Sequence, residues 1–258
     1  MRTAGPRPRS GETLDAFCRG RIRVFQKKRG YRFSVDAPLL ADFVRTRRSD
    51  EILEVGTGSG IVAILLARKP FRRLTALEVQ PGLAALAQRN IDLNGLEDRI
   101  KIVRADYRTY RPGRKFDLVV SNPPYIPKAG GHVSRLREKA IARHEMRGAI
   151  DDLMRMTAEL LKPRGRACFV FPERRREDFL AAARASGLRV KRWRSVRPRA
   201  GEPSNLFLAE LGPAGGAGRG GASAGGKRGA EVMPPLLLFK RGGGYTMEAE
   251  AIFSGRPD

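Results

Sequence analysis

Cysteine, histidine, long apolar runs and acidic residues are all scarce in this chain, and each shortage narrows what it can do. The only cysteines are Cys18 and Cys168, far apart and without CxxC spacing. That excludes a disulfide framework and the usual thiol redox or zinc arrangements, and makes a reducing compartment the expectation. The only histidines are His132 and His144, so no metal site is expected. No apolar run approaches ~18 residues, and no apolar core follows the basic opening MRTAGPRPRS. Neither a membrane span nor a secretory leader is therefore expected, and the chain reads as cytoplasmic and free of the membrane.

The shortage of acids weighs most. Asp and Glu number 27 against 51 Lys and Arg, for a formal charge of +24. Such an excess favours a polyanionic partner, because neutralising phosphates releases their counterions. Nucleic acid comes first and an anionic membrane surface second; a GC-rich genome that inflates arginine accounts for part of the charge on any reading. The basic residues cluster at Arg19, Arg21, Arg23, Lys27, Lys28, Arg29 and Arg32, at Arg174 to Arg176, and again from Lys191 to Arg199.

The length of 258 residues accommodates one α/β domain of about 200 residues with a small appendage. Apolar spacing predicts a helix from Ser34 to Phe43, capped by Ser34 or Asp36. Strands are predicted at Ile52 to Val55, Leu74 to Glu78, Ile100 to Val103, Leu118 to Ser121, Ala167 to Phe171, Val190 to Ser195 and Leu206 to Leu211. Helices are predicted at Ile61 to Arg68, Leu83 to Asn94, Ile150 to Leu161 and Glu173 to Ser186, the last closed by Gly187. Alternation of this kind implies a doubly wound, Rossmann-like parallel sheet of about seven strands. The last two strands are joined too closely for a crossover helix, so they form an antiparallel hairpin at the edge. Residues 1–50 form a basic segment and helix, 51–211 the main domain, 212–230 a flexible Gly/Ala-rich linker, and 231–258 a small terminal hairpin with arms at Pro234 to Phe239 and Tyr245 to Phe253.

Glu54-Val55-Gly56-Thr57-Gly58-Ser59-Gly60 follows a strand and opens a helix, where glycines let backbone approach a ligand without a Cβ clash. Its GxGxG form lacks the pyrophosphate fingerprint of dinucleotide enzymes, which favours S-adenosylmethionine over NAD. Glu78 ends the next strand, 22 residues after Gly56, where a carboxylate can accept both ribose hydroxyls of a nucleoside. Asp106, after the third strand, can accept from the cofactor's adenine amino group. Each acid also has a plain structural use, Glu78 as a cap for the helix at Pro81 and Asp106 as a turn cap.

Ser121-Asn122-Pro123-Pro124-Tyr125 follows the fourth strand. The prolines fix the backbone, so the Pro123 carbonyl and the Asn122 side-chain oxygen can face one NH2 group together. Accepting both amino hydrogens would turn the nitrogen lone pair toward a sulfonium methyl, with no strong base required. Tyr125 offers a face on which a base can stack. Asn122, Pro123, Pro124 and Tyr125 are thus the candidate catalytic residues.

The NPPY motif with the EVGTGSG loop resembles the amino-directed methyltransferases. Three further stretches narrow the resemblance: Lys27-Lys28-Arg29-Gly30-Tyr31-Arg32-Phe33-Ser34-Val35-Asp36, Glu138 to Glu145, and Pro198-Arg199-Ala200-Gly201-Glu202-Pro203-Ser204-Asn205. Together they resemble the bacterial tRNA(Val) adenine-N6-methyltransferase-like family over nearly the whole chain; the Gly/Ala-rich segment is outside its pattern. The resemblance implies N6-methylation of an adenine in RNA, in a tRNA anticodon loop, with S-adenosylmethionine as donor, by a monomer. It implies a cofactor site of Phe33, Asp36, Glu54, Gly56, Gly58, Gly60, Glu78, Asp106 and Asn122, with Tyr31 to Asp36 closing the methionine end. It also implies an RNA surface that includes Lys27, Lys28, Arg29, Arg32, Arg135, Arg143 and Arg199. His144 and Glu145 can contact substrate or cap the following helix, the structural role being the expectation, and the role of His132 is open. Competing readings are a protein glutamine methyltransferase, an rRNA guanine-N2 or DNA adenine methyltransferase, and a non-catalytic RNA-binding module.

Overall fold

The computed structural model describes residues 7–29, 32–123, 135–215 and 229–255, without the side chains of 135–147. In chain order these form β1 (Glu12–Phe17), β2 (Ile22–Lys27), α1 (Asp36–Phe43), β3 (Glu51–Val55), α2 (Ile61–Leu66), β4 (Arg73–Glu78) and α3 (Pro81–Leu93). Then come β5 (Ile100–Arg104), β6 (Phe116–Ser121), α4 (Arg135–Leu160), β7 (Leu161–Pro172), a 3-10 turn (Glu173–Arg175), α5 (Arg176–Ala185), β8 (Leu188–Arg197) and β9 (Leu206–Pro213). Past the Gly/Ala-rich segment lie β10 (Glu231–Val232), β11 (Leu236–Leu237) and α6 (Met247–Ser254).

All seven strands expected from the sequence are present, and they pair in the order β8-β9-β7-β6-β3-β4-β5. β3 to β7 run parallel, while β9 runs antiparallel to both β7 and β8. Alternation along the central strands sends Ile52, Val120, Cys168 and Val170 to one face, packed with Leu40, Ile61 and Ile64 of α1 and α2. Leu53, Val119, Phe169 and Phe171 face the other way, against Ile150 and Leu153 of α4 and Phe179 of α5. A strand buried on both faces reads as a continuous apolar run, and Leu118-Val119-Val120 in β6 is the example. The order reverses at β3, with β4 to one side and β6 to the other, which opens a crevice at their carboxyl ends.

Several expectations need correction. The strands β8 and β9 form the expected antiparallel pair, but the pair is not outermost, because β10 and β11 add to β8 in parallel. The terminal segment is no hairpin: Phe239 and Tyr245 make a single antiparallel bridge, and the second arm is the helix α6. Thr246 caps that helix by accepting from Ala249 N at 3.2 Å, and Gly255 ends it at φ 63°. Helix α4 begins at Arg135 rather than near Ile150, so His144 and Glu145 lie within a helix and do not start one. Helix α1 starts from Val35 without a side-chain cap; Ser34 Oγ only meets Asp36 N at 3.4 Å. β9 extends to Pro213, so Gly212 is paired strand and not linker; residues 216–228 of that segment are outside the described residues.

The first fifty residues carry an unexpected hairpin, β1–β2, turned through Cys18, Arg19 and Gly20, all at positive φ. It docks on α3 through Asn90, whose Oδ1 accepts from Phe25 N at 2.7 Å and whose Nδ2 donates to Phe25 O and Ser59 O at 3.0 and 2.9 Å. Asn94 repeats the device with Arg23, and Arg89 reaches Glu12 at 2.7 Å.

Candidate functional site

A cleft opens at the crevice beside β3. Its floor is Val55 and Gly56 from β3 and its loop, with Ser121 and Pro123 from the end of β6. Its walls are Tyr107, Ala149, Ile150, Leu153, Phe171 and Arg175. The glycine loop and the start of the NPPY motif, 65 residues apart from Gly56 to Ser121, therefore meet in one place. Ser121 Oγ donates to Val55 O at 2.8 Å and ties the two strand ends together.

Gly56 takes φ 73°, and a Cβ there would meet nothing within 4 Å. Backbone in that conformation, with free space in front of it, permits a ligand's close approach. Gly56 N and Thr57 N both donate to Leu77 O, which holds the loop against β4. Gly60 is at φ 85°, and that left-handed backbone is what favours glycine there; a Cβ would sit 3.4 Å from that of Ala87.

Glu54 lies beneath the loop and is 2% exposed. Burial pushes its carboxyl up to about 7; the Thr57 hydroxyl and Ala63 amide pull it back, and nearby Glu78 pushes it further up. Glu78, also buried, accepts from Gly58 N at 2.9 Å through one oxygen and from Gln80 N at 2.9 Å through the other. Those amides fix the carboxylate at the crevice and leave each oxygen a further lone pair. Gly58 thus serves the site through its amide. Val79, next along, is 55% exposed at the same rim.

Asp106 is clasped by Arg108, whose Nε lies 3.0 Å from both carboxylate oxygens and whose backbone N donates to one of them at 2.9 Å. That guanidinium holds the Asp106 carboxyl below the usual carboxylate range against the opposing effect of burial. A cofactor amino group at Asp106 would share the carboxylate with Arg108.

Phe33 and Asp36 do not line the cleft. Phe33 packs on Phe17 with ring centroids 4.7 Å apart. Asp36 opens α1, and burial raises its carboxyl against the pull of Ser34. Asn122 is partly buried between Ser121 and Pro123. Gly30, Tyr31, Pro124, Tyr125 and His132 lie outside the described residues, as do the side chains of Arg135, Arg143, His144 and Glu145.

The expected RNA-binding cations separate into groups. Lys27, Lys28 and Arg29 line an open concavity with Ser10, Gly11 and Glu12 on the hairpin. Arg32 is bound up with Asp15 at 2.7 Å and Thr13 at 3.2 Å. Arg199 pairs with Glu202 at 3.3 Å and lies over the Phe239 ring, in the β8–β9 loop at the same end of the sheet as the cleft. Tyr107, Phe171 and Arg175 were missed from the sequence. Each sits at or just beyond the carboxyl end of a predicted strand, and that position alone marks them as candidates in an open α/β sheet. Among the described residues, no group of three or more metal-ligating side chains forms, and no helix is long and apolar enough to cross a membrane.

The family model for the methyltransferase small domain matches residues 31–177, which contain the whole cleft. A tRNA1(Val) (adenine(37)-N6)-methyltransferase of Parabacteroides distasonis is 31% identical over 197 residues, covering 74% of this chain and 81% of the relative. The protein of the same name in Vibrio cholerae is 31% identical over 183 residues, covering 70% and 75%. Among solved structures, a predicted O-methyltransferase from Agrobacterium tumefaciens superposes with a TM-score of 0.63 at 20% identity, covering 86% of this chain and 96% of that one. The CcbJ methyltransferase from Streptomyces caelestis does so at 0.54 and 13%, covering 70% and 89%. These two resemblances are of fold.

Proposed function

This chain belongs to the methyltransferase small-domain family and, within it, to the tRNA1(Val) (adenine-N6)-methyltransferase-like family, and from that premise we propose that it methylates the exocyclic N6 of an adenine in a tRNA anticodon loop. The observation that carries the reading is the meeting of Gly56, Ser121 and Pro123 in one cleft, where a donor and an amino group to be methylated can lie side by side.

S-adenosylmethionine is the methyl donor, and the residues present suit it. Gly56 offers open space before its backbone, and Glu78 offers a carboxylate already oriented by two amides, a match for a nucleoside's ribose hydroxyls. When bound, the cofactor supplies an electrophilic methyl group. Asn122 and the Pro123 carbonyl accept the two amino hydrogens of the adenine, which directs the nitrogen lone pair to the donor side, and Tyr125 stacks on the base. Phe33 and Asp36, carried by the N-terminal segment, close the methionine end, while Lys27, Lys28, Arg29, Arg135, Arg143 and Arg199 hold RNA. The protein acts as a monomer in the cytoplasm.

The test is incubation with labelled S-adenosylmethionine and, separately, unmodified tRNA, ribosomal RNA, DNA and release factor, followed by nucleoside or peptide mass analysis. N6-methyladenosine in tRNA is the expected product. Label on release factor alone would transfer the site to glutamine. Asn122→Ala is expected to bind S-adenosylmethionine within a few-fold of wild type and to lose methyl transfer by roughly 100-fold or more. Wild-type turnover by that variant would refute the role given to Asn122.

A further inference from the structure

Arg175 is the one charged side chain among the described residues lining the cleft. It is 7% exposed, yet its Nε and Nη2 have no hydrogen-bond partner among the described residues. Only Nη1 is engaged, with Asp178 at 3.1 Å. A guanidinium carries five donors in a fixed fork, and burying it with two nitrogens unmet is costly unless something else meets them. Neighbouring Glu173 does not line the cleft; its Oε1 is engaged by Arg176 at 3.3 Å, and its Oε2 is buried without a partner among the described residues and makes no hydrogen bond to Arg175.

Its place in the fold indicates what that acceptor is. The 3-10 turn bearing Arg175 follows β7, which pairs with β6, and β6 pairs with β3. Along the carboxyl edge the order is therefore glycine loop, Asn122–Pro123, Arg175, at successive strand spacings of ~4.8 Å. A planar base with its amino group at Asn122 and Pro123, and the donor on the β3 side, extends its ring toward β7. The lining there is apolar, from Leu153 and Phe171, and Asp178 already balances the guanidinium's charge. A neutral acceptor fits these surroundings better than a phosphate. Adenine has no exocyclic oxygen, so its neutral acceptors are ring nitrogens.

We propose that Arg175 reads the acceptor base, donating from Nε or Nη2 to a ring nitrogen of the adenine whose N6 is methylated. The assignment rests on the RNA reading above, and gives the site a means of selecting the base that is separate from holding its amino group.

The test uses full-length protein and RNA carrying 1-deaza-, 3-deaza- or 7-deazaadenosine at the position wild type methylates. One of the three is expected to lose about 10- to 100-fold in kcat/KM relative to the other two, because a donor placed for a ring nitrogen is then left unpaired. Arg175→Met should lose a similar factor on natural RNA and no longer distinguish that analogue, and Arg175→Lys should fall between. S-adenosylmethionine affinity should stay within about twofold in both, which also reports that they are folded. Retained analogue discrimination in Arg175→Met, equal rates of wild type on all three analogues, or parallel loss of cofactor and RNA binding would each overturn the proposal. Failure of wild type to methylate any RNA would overturn the RNA reading and this assignment together.

Discussion

At the scale of single residues, Glu54 gives the sharpest expectation. Its carboxyl is raised by burial to about 7 from the ordinary 4.5. Between those values the unfolded chain gives up its proton while the folded chain retains it, so this group's contribution to stability falls as pH rises through that window and is level above it. Glu54→Gln removes the titration. Relative to wild type, the variant should gain stability between about pH 5 and pH 8, by no more than roughly 3 kcal/mol. Denaturation midpoints of the two proteins at both pH values measure this; if they shift in parallel, Glu54 does not hold its proton in the fold. Neighbouring acids show how an acid's environment escapes a sequence reading. Glu78 was expected either to cap α3 or to hold a ribose, and it does bind the amide of Gln80, yet it also binds Gly58 across the crevice. Asp106 was placed correctly at the end of β5, but the Arg108 fork that occupies it came from a residue whose direction no spacing rule supplies.

At the scale of elements, the hairpin's attachment hinges on Asn90, which is wholly buried in α3. One side chain satisfies both the N–H and the C=O of Phe25 and reaches Ser59 in the glycine loop. Asn90→Ala strands those buried groups and should cost roughly 2–3 kcal/mol, read from denaturant midpoints; a loss under ~0.5 kcal/mol would mean that Arg89 and Asn94 dock the hairpin without it. This hairpin was the largest element absent from the sequence reading. Its turn puts Cys18 and Arg19 at φ 50° and 58° ahead of Gly20, so the Asn-Gly or Asp-Gly signal of a tight hairpin is missing. The alternation in Ile22-Arg-Val-Phe-Gln-Lys was read as a cluster of charge. The sheet, by contrast, was legible strand by strand, because parallel strands buried on both faces appear as short apolar runs between amphipathic helices. Helix α6 lies where the second arm of a terminal hairpin was expected, although Thr246, the acids Glu248 and Glu250, and Gly255 supply ordinary start and stop signals for a helix.

For the molecule as a whole, many cations are committed internally. Arg73 and Arg72 hold Glu51, Arg166 holds Asp50, Arg192 holds Glu210, and Arg194 holds Glu248. These pairs leave the net charge of +24 unchanged, and the surplus must lie on other residues. RNA affinity should therefore fall linearly on a log–log plot against salt, with a slope of about −0.7 to −0.9 per phosphate contact. A filter-binding or anisotropy titration across salt concentrations measures the slope; a flat response would mean that the surplus serves no phosphate.

The way the sheet ends beyond β8 has a consequence for encounters between copies of the chain. β10 and β11 are two residues each, and between them stand Met233, Pro234 and Pro235. Proline has no N–H to offer a neighbouring strand. A second molecule approaching that border finds a broken row of amides and carbonyls and cannot extend the sheet across it. The last few paired residues thus act as a selvedge, finishing the fabric of the sheet so that it does not run on into the next molecule.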